Sequence, residues 1–226
     1  MKVNNSLEET IDAYGDDHVG SSATTPLRAD AFELSNPKKV ELIQEKVAEI
    51  LEILGMDLTD DSIKGTPNRV AKMYVNEIFG GLHPDKKPKA STFSNKYKYG
   101  EILVEKNITL YSTCEHHLLP IVGKAHVAYI SKGTVVGLSK MNRIVQYYAQ
   151  RPQVQERLTI QIVEELKQVL GTEDVACVID AKHLCVNSRG IRDISSSTIT
   201  SEFGGAFKNK ETKREFLDYI QLDTEF

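Results

Sequence analysis

Two short stretches of this chain carry both cysteine and histidine, and a fold that uses them together must bring distant segments into contact. Residues 114–117 read CEHH, and residues 183–185 read HLC. Cys114 and His117 are three residues apart in a predicted turn, so both can face one metal ion, with Cys185 as a third ligand from a distant strand. Two cysteines and one histidine are too few for a closed structural zinc site. They suit a catalytic site that keeps one position open for water.

The remaining histidines of these stretches indicate proton transfer. Histidine titrates near neutral pH, so His116 and His183 can each move protons beside a metal-bound water. The alternative is that they donate hydrogen bonds that orient the metal ligands, and spacing does not separate the two roles. Cys177 lies in an apolar strand with no histidine close by in sequence, and we interpret it as a core residue.

Length and composition limit the class of protein. A chain of 226 residues and 25.3 kDa holds one sizeable core. The net charge of −4 gives no overall bias toward nucleic acid or acidic membranes. Three cysteines without framework spacing argue against a disulfide-stapled secreted domain. The first residues lack an apolar stretch of signal-peptide length and no segment reads as a membrane span. We therefore expect a cytoplasmic protein.

Hydrophobic periodicity divides the chain into three segments. Residues 1–36 are polar and read as a flexible arm, 37–100 as a helical region and 101–226 as the catalytic domain. Spacings of three and four predict helices over 38–54, 67–79, 139–148, 154–170 and 212–222. Alternation predicts strands over 102–113, 124–130, 175–186 and 191–203. This order predicts an α+β fold, in which an antiparallel four-stranded sheet carries helices on one face. The exposed edges and the uncovered face of such a sheet favour oligomerisation.

Cationic pairs indicate a small phosphate-bearing ligand. Ser139 is predicted to cap the helix at 139, where free N–H groups favour an anion. Three cationic pairs in an acidic protein favour a polyanionic small molecule over nucleic acid. Lys140 and Arg143 lie in this motif, Arg189 and Arg192 follow Cys185, and Arg69 and Lys72 lie on the helix predicted over 67–79. Gln155 and Glu156 begin the long helix, where a carboxylate can accept hydrogen bonds from a guanine-type edge or simply complement the helix dipole.

Three sequence blocks resemble the signature blocks of the GTP cyclohydrolase I family. They are CEHHLLPIVGKAHVAYI, VVGLSKMNRIVQYYAQRPQVQERLT and AKHLCVNSRGIRD. The similarity runs from about Thr66 to the C-terminus. It implies the tunnelling fold, with two helices between the second and third strands, and association into a toroid, typically a homodecamer with active sites shared between subunits.

The resemblance also implies an activity and residue roles. Such an enzyme opens the imidazole ring of GTP at C8, releases formate and forms 7,8-dihydroneopterin triphosphate, the first step of folate and pterin biosynthesis. Cys114, His117 and Cys185 resemble ligands of a zinc ion (Zn²⁺) that activates water. His116 and His183 resemble proton-transfer residues. The implied substrate contacts are Glu156 and Gln155 at guanine, Ser139 at the ribose or phosphate region, Lys140, Arg143 and Arg189 at the triphosphate, and Arg69 and Lys72 as further cations.

Two alternatives remain open at the level of sequence. One is another tunnelling-fold enzyme, a pterin-acting or nitrile-reducing relative, which would not need the metal ligands together with His116. The other is a scaffold that binds zinc or nucleotide without turnover, which would not need the proton-transfer histidines. The downstream pathway and any regulatory partner are not determined by the sequence, and the N-terminal arm is where a regulatory difference would lie.

Overall fold

The computed structural model describes residues 21–89 and 91–223 of the chain. The helices are α1 (Asn36–Ile53), α2 (Thr66–Met73), α3 (Leu138–Ala149), α4 (Gln155–Leu170), α5 (Leu184–Asn187) and α6 (Lys210–Gln221). A π-helical turn, Tyr74–Ile78, continues α2, and 3-10 turns occupy Gly80–Leu82, Pro84–Lys86 and Gly205–Lys208. The strands are β1 (Thr92–Ser94), β2 (Ile102–Cys114), β3 (Pro120–Ile130), β4 (Thr134–Val136), β5 (Pro152–Gln153), β6 (Val175–His183) and β7 (Thr198–Phe203).

The main sheet has five strands in the order β5-β2-β3-β6-β7. Its four long strands pair antiparallel, as predicted, and α3 and α4 lie between the second and third of them in the chain. The predicted number of four strands is wrong, because the two-residue strand β5 pairs parallel with the end of β2. Strands β1 and β4 form a separate two-stranded sheet.

Helices pack against both faces of the sheet. Alternate residues of β3 and β6, such as Val127 and Cys177, join the core that contains Leu158 and Ile162 of α4. This alternation follows from the two-residue period of a strand. The opposite face carries Ala128, Ala176 and Val178, which pack with Phe207 and Phe216. The prediction that the helices lie on one face is therefore wrong for α6, whose Phe216 covers the second face.

Several predicted boundaries move in the structure. The helix α3 begins at Leu138 after the N-cap Gly137, and no side-chain cap is present, so Ser139 lies inside the helix and is not its cap. Strand β6 ends at His183, and Cys185 belongs to the short helix α5 instead of the predicted strand. Strand β3 begins at Pro120 and β7 at Thr198, so the first is longer and the second shorter than the sequence pattern predicts.

The N-terminal part consists of α1 packed against α2. The helix α1 begins with Pro37 in its first turn, and Ser35 Oγ accepts a hydrogen bond from the N–H of Lys38. No residue of α1 is buried within the chain. Of the predicted arm, residues 1–20 lie outside the described residues, and the division at residues 36 and 100 stays a prediction. No helix in the described part of the chain has both the length and the apolar character to cross a membrane.

Candidate active site

A tight turn between β2 and β3 presents the first two candidate metal ligands. The N–H of Cys114 donates to the carbonyl of Leu119 at 2.8 Å, and the N–H of Leu118 donates back to the carbonyl of Cys114 at 2.9 Å. Leu118 adopts a φ of 54°, the left-handed region that lets the chain reverse direction here. The turn therefore holds Cys114 and His117 close to the start of β3.

The pairing of β6 with β3 brings the third candidate ligand to the same place. His183 lies opposite Ile121 in the register of the two strands, and α5 begins directly after it. One ligand atom from each of Cys114, His117 and Cys185 lies within 4.8 Å of the others. In the described residues, this is the only such group of three or more histidine, cysteine or carboxylate side chains.

The donor set fits a zinc ion. A tetrahedral zinc with Zn–S bonds of about 2.3 Å holds two thiolates roughly 3.8 Å apart, so ligand atoms within 4.8 Å of one another need only a small contraction. Burial and the neighbouring thiol of Cys114 raise the pKa of Cys185 to about 11. A bound cation reverses this preference, because the metal binds the thiolate and releases the proton. Three protein ligands leave a fourth position for water or substrate.

The ring of His117 has a second neighbour. Its Nε2 lies 2.9 Å from a guanidinium nitrogen of Arg189, which can only donate, so this nitrogen accepts. Burial lowers the pKa of His117, and Arg189 and then His116 lower it further. These effects favour the neutral imidazole that a metal ligand requires, and its single lone pair would have to leave Arg189 to bind a metal ion. Arg189, predicted to hold the triphosphate, thus lies beside the metal ligands.

A cleft of 440 Å³ opens beside the metal group. Its lining includes two candidate metal ligands, both predicted proton-transfer residues, the start of α4 and one residue of the arm. The lining residues are Ser21, Cys114, His116, Gln153, Val154, Gln155, Glu156, His183 and Cys185. His116 Nδ1 lies 3.7 Å from the sulfur of Cys114, and His116 is exposed to the cleft.

His183 and Gln155 form the most constrained pair of the cleft. His183 Nε2 lies 2.7 Å from Gln155 Oε1. Burial lowers the pKa of His183, and Glu156 opposes this shift. Gln155 is 1% exposed, and its Nε2 donates to the carbonyls of Ile179 and Thr198. The side chain predicted to bind guanine is thus engaged inside the protein, and only Glu156 of the predicted guanine-binding pair extends from the first turn of α4 with an exposed side chain.

A second set of predicted residues lies away from the cleft in this chain. Ser139, Lys140 and Arg143 occupy the first turns of α3, whose other end adjoins β2 where Ser112 Oγ donates to the carbonyl of Ala149 at 2.8 Å. Twelve residues of helix place the two ends roughly 16 Å apart. Arg69 and Lys72 are exposed on α2. None of these five residues lines the cleft.

Glu115 and Arg157 form an ion pair under the turn between β2 and β3 that carries Cys114 and His117, named the metal turn. The sequence pattern did not single out this pair. Arg157 is 4% exposed, an unusual burial for arginine. Within α4, Arg157 and Gln161 lie four residues apart beside the apolar stripe, but Gln153 belongs to β5, so helical spacing alone does not reveal this network.

A second cavity lies on the other side of the metal turn. It measures 250 Å³ and is mostly apolar, with Phe32, Ile43, Tyr74 and Phe79 among its lining residues. It reaches the turn only at Leu118 and contains neither candidate metal ligands nor the proton-transfer residues. The reactive groups therefore belong to the 440 Å³ cleft.

The fold, a group of Cys114, His117 and Cys185 that could hold a metal ion, and two histidines in the adjoining cleft are typical of a metalloenzyme. The profile of the family described as GTP cyclohydrolase I matches residues 43–221. The chain belongs to this family.

Relatives match nearly the whole length of the chain. A protein of Flavobacterium johnsoniae named GTP cyclohydrolase 1 is 73% identical over 224 residues, which cover 99% of this chain and 100% of that protein. A Klebsiella pneumoniae protein of the same name is 52% identical over 204 residues, or 90% of this chain and 92% of its own. One from Salmonella arizonae is 51% identical over 217 residues, covering 96% and 98%.

Proposed function

We propose that the chain hydrolyses the imidazole ring of GTP at C8, releases formate and forms 7,8-dihydroneopterin triphosphate. The observation that carries this function is that the group of Cys114, His117 and Cys185 adjoins the cleft that His116 and His183 line. Membership of the GTP cyclohydrolase I family gives the reaction its substrate. The product supplies folate and pterin biosynthesis.

Each residue of the cleft takes a role that its position supports. Cys114, His117 and Cys185 would hold zinc, which when bound supplies Lewis-acid activation of water. His116, exposed in the cleft, would deliver a proton to N7 of the purine, which makes C8 electrophilic. His183 would serve as the second proton-transfer residue through the ring nitrogen that Gln155 does not occupy. Glu156 would accept hydrogen bonds from the guanine edge.

A triphosphate requires cations, and the described residues that line the cleft include no lysine or arginine. Arg189 is already beside His117. We propose that Lys140, Arg143 and Ser139 reach the site of a neighbouring subunit, in a homodecamer of the tunnelling-fold type, with Arg69 and Lys72 as further cations. The distance between the two ends of α3 supports a site shared in this way.

The free thiols support a reducing cellular setting. Cys114, Cys177 and Cys185 form no disulfide. Metal-binding thiols stay available in a reducing compartment, and we propose that the protein acts in the cytoplasm.

The reaction is tested by its two products. Zinc-loaded protein incubated with GTP should release one formate per GTP and, after oxidation, yield a fluorescent neopterin species. Cys185→Ala should lose zinc and formate release together. His116→Ala should keep zinc and lose formate release, because His116 is a proton-transfer residue in this proposal.

The contradicting results are equally distinct. Absence of formate from a zinc-loaded sample with the size of a homodecamer would contradict the proposed reaction. Near-normal turnover by His116→Ala would remove the proton-transfer role of His116 alone. Light scattering gives the size of the oligomer, and a monomer that turns over GTP would contradict the shared site.

A further inference from the structure

Arg157 sits at the centre of a buried hydrogen-bond network under the metal turn. Its Nε donates to Gln153 Oε1 at 3.0 Å, and its two terminal nitrogens donate to the Glu115 carboxylate, to the Pro152 carbonyl at 3.2 Å and to the Ser22 carbonyl at 3.1 Å. A guanidinium has five N–H groups in a fixed planar fork, so these partners set its position and orientation.

Glu115 connects this guanidinium directly to the candidate metal ligands. It stands between Cys114 and His116, and its side chain is 16% exposed. Its backbone N–H donates to the carbonyl of Gln153 at 3.0 Å. The metal turn is therefore held to the segment before α4 twice, once by the backbone of Glu115 and once by its carboxylate through Arg157.

The same guanidinium belongs to the helix that carries the substrate-facing residues. Arg157 follows Gln155 and Glu156 in the first turns of α4. An ion pair between Arg157 and Glu115 thus fixes the distance between the metal turn and the start of α4. Removing one charge would leave the other buried without compensation, which a local rearrangement of the turn would relieve.

We propose that Glu115 and Arg157 are positioning residues that hold Cys114 and His117 in the geometry for metal binding and fix them relative to Glu156. The inference rests on the proposed function and extends it to residues that touch neither metal nor substrate. Outer partners of metal ligands change metal affinity by about 10- to 100-fold when mutated. The network reaches the arm as well, because Ser22 accepts from the same guanidinium.

The test measures metal retention separately from turnover. Glu115→Gln keeps the shape of the side chain and removes its charge. We expect zinc transfer from this variant to a chromogenic chelator to be about 10-fold faster or more than from the wild type. The cobalt-substituted variant should also show altered ligand-field bands, because the turn holds its ligands less well. Arg157→Met should do the same, and Arg157→Lys should recover part of the loss.

Asp174→Asn provides the matched control. Asp174 is a mostly buried carboxylate that pairs with Lys132 at 3.0 Å and accepts from the N–H of Ala206 at 2.7 Å, at the end of β6 farthest from the metal group. Neutralising it removes the charge of another mostly buried carboxylate from its ion pair, whose cation Lys132 is 63% exposed. Its zinc release rate and cobalt spectrum should match the wild type even where its melting temperature falls as much as that of Glu115→Gln.

A double variant tests whether the two residues act through each other. Glu115→Gln combined with Arg157→Met should release zinc no faster than the faster single variant. Additive effects, or a wild-type zinc release rate in folded Glu115→Gln, would overturn the inference. Formate release by the wild type is measured alongside, so a zinc-loaded wild type without formate would count against the proposed function and not against the positioning pair.

Discussion

The ring nitrogen Nε2 of His183 lies 2.7 Å from Gln155 Oε1, and this contact determines which nitrogen of His183 carries hydrogen. The amide of Gln155 cannot turn around, because its Nε2 faces the carbonyls of Ile179 and Thr198 at 3.1 and 2.9 Å. Its oxygen must accept, so His183 Nε2 donates. The neutral ring then presents Nδ1 as the atom that accepts a proton.

Replacing Gln155 should therefore reduce the rate of the reaction more than the binding of GTP. We expect Gln155→Met to lower kcat by about 10- to 100-fold, in the range of other groups that orient a catalytic histidine. KM for GTP and zinc content should change much less. Steady-state kinetics with metal analysis measures the difference. A raised KM with unchanged kcat would support the sequence-based interpretation of Gln155 as a guanine contact.

The cations of α3 should bind the triphosphate of the substrate in a neighbouring subunit. Arg143→Ala is expected to raise KM for GTP by about 10-fold or more, because a charge-assisted contact to phosphate contributes roughly 1.5–3 kcal/mol. Guanosine binding and zinc content should stay unchanged. Unchanged KM would remove Arg143 from the triphosphate site.

Mixed oligomers test whether the site is shared. Arg143→Ala and Cys185→Ala damage different halves of the proposed site, so equal amounts reassembled together should regain about one quarter of wild-type activity by random pairing. Reassembled alone and assayed at low GTP, Cys185→Ala should stay inactive and Arg143→Ala should retain about one tenth of wild-type activity. No recovery in a mixture shown by light scattering to have exchanged subunits would place the whole site in one chain.

His126 should make the protein less stable in mild acid. It is 7% exposed on the second face of the sheet, and its Nδ1 accepts from the N–H of Asn107 at 3.4 Å. Burial lowers the pKa of His126, Lys124 and Lys106 also lower it, and Asp180 opposes them. The unfolded chain thus binds the proton more tightly, and the free energy of unfolding falls as pH drops below about 6.5. Urea unfolding at pH 7.5 and 5.5 should show a smaller fall for His126→Gln, and equal falls would contradict this prediction.

Cys177 should contribute to stability without contributing to metal binding. It is 0% exposed, on the face of β6 that packs against α4, and burial raises its pKa strongly. Cys177→Ser places a hydroxyl in an apolar core, and an unpaired buried hydroxyl costs about 1–3 kcal/mol. Cys177→Ala should cost less than this. Urea unfolding measures both, and their zinc content should equal that of the wild type; loss of zinc would contradict the core role.

Periodicity was sufficient for the long elements, because a strand or helix that covers a core repeats its apolar positions. Even the interruption at Lys106 in the alternation of β2 has a structural counterpart. The pairing with β3 shifts register between Glu105 and Ile108, and Asn107 adopts a φ of 59°. This is a β-bulge, which inserts an extra residue and breaks the two-residue period.

Short elements and buried polar contacts could not be predicted in the same way. The four residues of α5 and the two residues of β5 are too few to show a period. The sequence pattern therefore predicts a strand at Cys185 and does not predict the fifth strand of the sheet. The candidate metal ligands could be proposed from the sequence because cysteine and histidine carry their chemistry in their identity. The buried position of Arg157 could not be predicted, because an arginine is normally exposed. Its burial depends on Glu115, 42 positions earlier in the chain.

The inaccessible thiol of Cys177 provides an internal reference for measuring which chains carry metal. In the native metal-free state a small alkylating reagent encounters thiols only in the cleft, since the thiol of Cys177 is sealed between sheet and helix. Labelling before and after denaturation, resolved by mass, therefore separates chains that carried metal from those that were empty. A preparation with mixed loading can be sorted chain by chain, without any knowledge of its turnover.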